Sequence, residues 1–182
     1  NDIPGIQGVD TRAITRMLRD EGSMKVLLTD AATPLDKAME QLKNMELAQD
    51  LVAKVSGKKI RYSRTPNYRY NVVAVDCGIR QSRIRCLTAR GCNVTIVPYD
   101  TKAETVLSLK PDGLFLSSGP GDPQACPQVV ELTKALWGKL PIFGVGLGCQ
   151  IIALAAGGST YKMKHGHNGG NISVIHSGEI KR

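Results

Sequence analysis

Aromatic residues make up only 4% of this chain, so aliphatic side chains must do most of the filling in any core. No apolar run approaches the length needed to cross a bilayer, and no signal peptide opens the chain. The five cysteines (Cys77, Cys86, Cys92, Cys126, Cys149) are odd in number, scattered, and include no Cys-x-x-Cys pair. That pattern argues against a disulfide framework and against a zinc site, and leads us to expect a reducing cytosol. There is no initiator methionine before Asn1-Asp-Ile-Pro-Gly5, and Gly178 to Arg182 ends as abruptly. We therefore expect a fragment of something longer. Acidic residues are nearly absent from Lys58 to Arg90, where nine Lys or Arg accompany a single acid, Asp76. That run contributes much of the net charge of +8. It carries no recognised nucleic-acid motif and no aromatic pattern suited to base stacking, which disfavours nucleic-acid binding. A solvated face, or a surface docking an acidic partner, is the better reading.

What the sequence does contain is concentrated in Pro141-Ile-Phe-Gly-Val-Gly-Leu-Gly-Cys-Gln150 and the Ile151-Ile-Ala-Leu-Ala-Ala156 that follows. An apolar run, a glycine-dense corner and an alanine-rich apolar run predict buried strand, sharp turn and buried helix. Gly144, Gly146 and Gly148 permit positive φ and a close approach of helix to strand. Such a corner lifts one residue above a sheet, at a helix N-terminus whose free N–H groups favour negative charge. In a nucleophile elbow the lifted residue is Ser or Cys. Here it is Gly146, which has nothing to attack with.

Before this corner the pattern alternates strand and helix. Strands are expected at 72–75, 94–97, 113–116 and 141–145, and helices at 79–90, from a Thr101-x-x-Glu104 capping box through Leu109, and around Val129 to Leu136. The fold class is α/β: a mostly parallel sheet with helices on both faces, flavodoxin-like, preceded by part of a small α+β N-terminal domain. In the first segment Asp10 or Thr11 caps a helix carrying Ile14, Met17 and Leu18 at i, i+3 and i+4, ended by Gly22. Val26 to Thr29 suits a short strand, and Thr33 caps a second helix. The stretch 56–70 reads as a linker. We expect domains at 1–65 and 66–182.

A second glycine-rich loop, Ser117-Ser-Gly-Pro-Gly-Asp-Pro123, follows the strand at 113–116, one strand ahead of the elbow's own. Two glycines flanking a proline expose backbone N–H groups on a stiffened turn, which suits an oxyanion; an ordinary strand-to-helix connection is the plainer reading. Ligands in such sheets sit at the carboxyl ends of strands, where both loops fall.

Ser118-Gly-Pro-Gly-Asp-Pro123 followed by Gly144-x-x-Leu147-Gly148-x-Gln150 resembles the class I, triad-type glutamine amidotransferases. Within them the resemblance is strongest to the glutamine-hydrolysing small subunits of carbamoyl phosphate synthetases. Val9 to Arg16, Asn93 to Pro98 and Tyr161-Lys-Met-Lys-His-Gly-His-Asn-Gly-Gly-Asn171 extend it over essentially the whole chain. The resemblance implies that Gly119 and Gly121 lie in the oxyanion loop, with the Gly121 N–H as donor. It implies a second donor at the Leu147 N–H and places Gln150 in the glutamine pocket. It implies that a Cys thiolate belongs at Gly146, activated by a His-Glu pair from a segment beyond Arg182. It also implies ammonia delivery to a large synthetase subunit, which uses ATP, Mg and bicarbonate, with no cofactor or metal in this subunit. The partners so implied are glutamine and that large subunit, with no nucleic acid and no membrane. A chain with Gly146 in place of the Cys is expected to lack glutaminase activity, and the alternative is a non-catalytic module that docks the large subunit. Cys149 stands where a His is often found in the family. One helical turn past Gly146, it reads as a buried, inert thiol rather than a substitute nucleophile. His165, His167 and His176 read as loop-ordering or surface residues; His165 and His167, spaced by two, could bind a metal, but no further ligands accompany them.

Overall fold

The computed structural model describes residues 3–46, 48–166, 174–176 and 179–181. The chain divides into two compact units, Leu47–Thr160 and the remainder, each taken by itself.

The larger unit is built on a five-stranded sheet of order β1-β3-β2-β4-β5. Its strands are β1 (Arg61–Ser63), β2 (Tyr70–Asp76), β3 (Cys92–Pro98), β4 (Gly113–Leu116) and β5 (Ile142–Gly144). β2 to β5 run parallel, and β1 lies antiparallel on β3, with Arg61 opposite Ile96 and Ser63 opposite Val94. The period-two pattern of these strands sends alternate side chains to opposite faces. Val73, Val75, Leu114 and Leu116 join Val129, Leu132 and Leu136 of α6 (Pro127–Leu136) and Leu147 and Ile151 of α7 (Leu147–Ala155) in one buried layer. Ala74, Val94, Ile96 and Phe115 meet Ile84 of α4 (Gln81–Thr88) on the other. Helices thus cover both faces, as expected, and each buried Val or Leu side chain contributes roughly 1.5–3 kcal/mol. The second face is covered less, and Phe143 of β5, stacked on Phe115 with ring centroids 6.2 Å apart, stays exposed.

The stretch 56–70, expected as a linker, instead supplies β1. Two further helices complete this unit, α3 (Leu51–Val55) and α5 (Ala103–Ser108). The capping box expected for α5 does not form: Thr101 Oγ1 donates to the Pro98 carbonyl at 2.8 Å, so it serves the preceding turn.

In the smaller unit α1 (Thr11–Glu21) starts where the sequence places it, Asp10 Oδ1 accepting from the Ala13 N–H at 2.9 Å, and stops at Gly22 with φ 88°. Val26 to Thr29 form no strand. α2 (Leu35–Asn44) is not capped by Thr33, whose hydroxyl pairs with that of Thr29 at 3.0 Å. Two short antiparallel strands, β6 (Val174–His176) and β7 (Glu179–Lys181), belong here too.

Candidate active site

The strand order fixes where a ligand would sit. From β2 the chain crosses to β3 on one side, whereas from β4 it crosses to β5 on the other. A crevice opens at the carboxyl ends of strands where the crossovers diverge, here between β2 and β4. The loop after β2 (77–80), the glycine loop after β4 (117–122) and the elbow after β5 all emerge at this end.

The elbow has the expected strand-turn-helix form, but β5, expected buried, leaves Phe143 exposed, and of α7 Leu147, Gly148 and Ile151 are the buried residues. Gly146 caps α7 with φ 58° and ψ −115°, and its carbonyl accepts from the Cys149 and Gln150 N–H groups at 3.0 and 3.2 Å. Positive φ of this kind is what lifts a side chain off the sheet in a strand-turn-helix corner. A Cβ there would stand 3.5 Å from Ser118 Cβ, an ordinary contact, so the corner has room for a side chain that the sequence withholds. The flanking glycines are needed for a different reason. A Cβ on Gly144 would lie 2.5 Å from the Gly148 backbone, and one on Gly148 would overlap the Leu116 carbonyl oxygen. Helix and strand approach this closely only without those carbons.

The glycine loop leans on both neighbours. Ser117, fully buried, accepts from the Cys77 N–H at 2.9 Å and donates to the Ser118 carbonyl at 3.0 Å, tying the end of β4 to the end of β2. A Cβ on Gly119 would overlap the Cys77 carbonyl oxygen and stand 2.9 Å from Leu147 Cδ2, so this residue is wedged between the first loop and the elbow. Gly121 has φ 87° and packs beside Leu51. Among the described residues neither the Gly121 nor the Leu147 N–H has an acceptor. Asp122 Oδ1 accepts from the Gln124 N–H at 2.8 Å, starting the 3-10 turn Pro123–Ala125. The Gln124 amide in turn donates to the Thr160 carbonyl at 3.0 Å. The structure therefore brings Ser118 and Gly119 of one loop against Gly146 and Leu147 of the other, with Gly121 two residues further along. Gln150 lies exposed on the first turns of α7.

Cys149 is exposed rather than buried, because the first turn of α7 presents that side outward, and Gly148 instead turns to the strand. Cys77, Cys92 and Cys126 are the buried thiols. Burial, reinforced by Cys126 and Asp76, pushes the Cys77 thiol up to about 12, and burial also raises that of Cys126. Alkylation of the native chain at pH 8 is therefore expected to modify Cys86 and Cys149 and spare the other three, with all five reacting in denaturant; mass mapping reads the difference. An acid whose folded pKa is raised stabilises the fold fully below its ordinary pKa near 9 and loses that contribution as pH climbs from there towards 12.

His165 binds Arg19, its Nε2 lying 2.8 Å from that residue's carbonyl oxygen, which is a loop-ordering contact at the end of α1. His167 and the rest of 167–171 in the Tyr161-to-Asn171 stretch lie outside the described residues, and of His176 only the backbone, in β6, is described. A polar hollow of ≈ 330 Å³ lined by Thr65, Arg69, Thr88 and Arg90 lies at the opposite, N-terminal ends of β2 and β3 and holds none of these site residues.

Nothing in the local sequence marks Ser117 as a bridge between strand ends or Asp76 as an acceptor for the loop after β2. Asp76 stands out only as the single acid in a run of nine cations.

The model of the class-I glutamine amidotransferase family matches residues 73–182, and the chain belongs to that family. The resemblance narrows further among curated proteins. The carbamoyl phosphate synthase small chain of Staphylococcus saprophyticus is 48% identical over 173 residues, covering 95% of this chain and 47% of that one. The small chain of Staphylococcus haemolyticus is 46% identical over 180 residues, covering 98% and 49%. That of Streptococcus pneumoniae is 45% identical over 172 residues, covering 94% and 47%. The chain thus spans about half the length of the curated relatives it matches.

Proposed function

We propose that this chain is the glutaminase portion of a cytosolic carbamoyl phosphate synthase small subunit, folded to hold glutamine but without the atom that would hydrolyse it. In the full reaction a thiolate at the elbow attacks the carboxamide carbon. The carbonyl oxygen becomes an oxyanion between two backbone donors, and a base-derived proton releases ammonia for a larger ATP-using synthetase partner. The Gly121 and Leu147 N–H groups are the donors in this reading, and Gln150 contributes to the glutamine pocket. The backbone of Gly146 carries the proposal: its φ and ψ hold the nucleophile's place at the N-terminus of α7 while its side chain is absent. A helix N-terminus lowers a thiol's pKa, which explains why a Cys would serve there.

The expected result is no ammonia release from glutamine above a no-protein control, because loss of the nucleophile in a comparable acyl-transfer triad costs on the order of 10⁶-fold in turnover. Gly146→Cys in this chain, still without a His-Glu pair, should recover at most slow acylation, seen by mass spectrometry after incubation with a glutamine-mimicking electrophile. Ammonia release by the unaltered chain would refute the inactivity.

The intact corner without its sulfur favours one second reading, a module that binds the synthetase partner and does no chemistry. Salt-sensitive capture of the large synthetase subunit, with no glutamine-induced change in the chain, would select it.

A further inference from the structure

Asp76 is 3% exposed, and its carboxylate takes no part in the chemistry above. Both oxygens are engaged. Oδ2 accepts from the Gly57 N–H at 3.1 Å and from Arg61 Nη2 at 2.7 Å. Oδ1 accepts from the Gly78 and Ile79 N–H groups at 3.0 and 2.9 Å. One oxygen therefore holds the segment leading into the edge strand β1, and the other holds the loop that leaves β2. That loop is the floor under the glycine loop. A Cβ on Gly78 would stand 3.2 Å from Val55 Cγ2, 3.4 Å from Pro120 Cδ and 3.5 Å from Gly119 Cα. Cys77 meets the glycine loop through both its backbone groups, the N–H on Ser117 Oγ and the carbonyl oxygen against Gly119. The segment 51–61 closes the far side, with Leu51 beside Gly121, and the buried Ser56 Oγ accepting from the Tyr99 N–H at 3.1 Å.

We propose that Asp76 is a positioning residue of the site, and that the Arg61–Asp76 ion pair is the latch by which the 57–61 segment holds the glycine loop in place. Asp76 touches no reacting atom; it acts through Cys77 and Gly78, whose backbone atoms bear directly on Gly119 and Pro120. Four charge-assisted hydrogen bonds on a buried carboxylate outweigh what a turn of glycine and proline could fix by itself. Oxyanion donors need such fixing, because a donor that must reorganise during the reaction loses most of its effect. Arg61 is the member of the latch that solvent reaches, its side chain 46% exposed. The proposal rests on reading the glycine loop as an oxyanion site.

The test uses the whole chain, with backbone ¹⁵N relaxation of Gly119 and Gly121 compared in the unaltered protein, Arg61→Met, Arg61→Lys and Asp76→Asn. The unaltered chain and Arg61→Lys should show order parameters of about 0.85 at both glycines, and Arg61→Met and Asp76→Asn values falling towards about 0.6, while Leu114 and Val130 stay rigid in all four. Restoration by lysine separates the ion pair from mere side-chain bulk. Unchanged order at both glycines in Arg61→Met and Asp76→Asn would overturn the proposal, as would an equal loss at Leu114 and Val130. Titrating the unaltered chain with glutamine on the same spectra keeps the two claims apart. Absence of glutamine-induced shifts would sink the proposed function and leave the positioning result standing.

Discussion

Gly148→Ala is expected to abolish the native fold of the sheet-bearing unit, measured as loss of its cooperative urea transition. The added carbon would overlap the Leu116 carbonyl oxygen and stand 2.8 Å from Leu116 Cβ. Both obstacles belong to β4, a central strand paired to β2 and β5, so neither can move aside as a flexible side chain would. Overpacking against side chains typically costs about 1–3 kcal/mol, and a clash with fixed backbone costs more, a large share of a domain's roughly 5–15 kcal/mol. The alternative relief is to push α7 off the sheet, which would also carry the elbow away from Ser118. Gly146→Ala is the informative contrast. Its Cβ meets only Ser118 at 3.5 Å, so the remaining penalty is the strain of a non-glycine at positive φ, on the order of 1–3 kcal/mol. A native-like transition for Gly148→Ala would mean that α7 does not lie as described.

Asp76→Ala should be the second most damaging change, lowering stability by about 3 kcal/mol or more, chiefly through the N–H groups it strands. The substitution leaves the Gly57, Gly78 and Ile79 N–H groups without their acceptor, each costing roughly 1–3 kcal/mol if water does not reach it. Arg61 adds less, because a half-exposed guanidinium regains water when its partner is removed. The readout is the urea midpoint at unchanged slope, which identifies a loss of stability rather than a change in the unfolded chain. A shift no larger than that of an exposed control such as Glu131→Ala, whose carboxylate pairs with Lys134 on the surface of α6, would show that the Asp76 network contributes little.

The sequence by itself determined the alternation of strand and helix from Tyr70 onward, the two glycine loops and their order, and the residue at the elbow. These follow from local rules: the apolar period, and the need for glycine where a chain turns sharply or passes close to another. The same rules failed at Thr33 and Thr101, where a hydroxyl that could have capped a helix found a nearer partner. They failed also at 56–70, because a short basic segment with Gly57 and Pro66 looks like a linker until a strand is there for it to pair with. Only the tertiary structure decided that Arg61 and Gly57 converge on Asp76, that Ser117 bridges two strand ends, and that Cys149 faces outward while Cys77 lies buried. Each of those depends on which strand lies beside which. The order β1-β3-β2-β4-β5 brings together residues far apart in the chain, such as Cys77 and Ser117, 40 positions apart, and no local pattern contains that order.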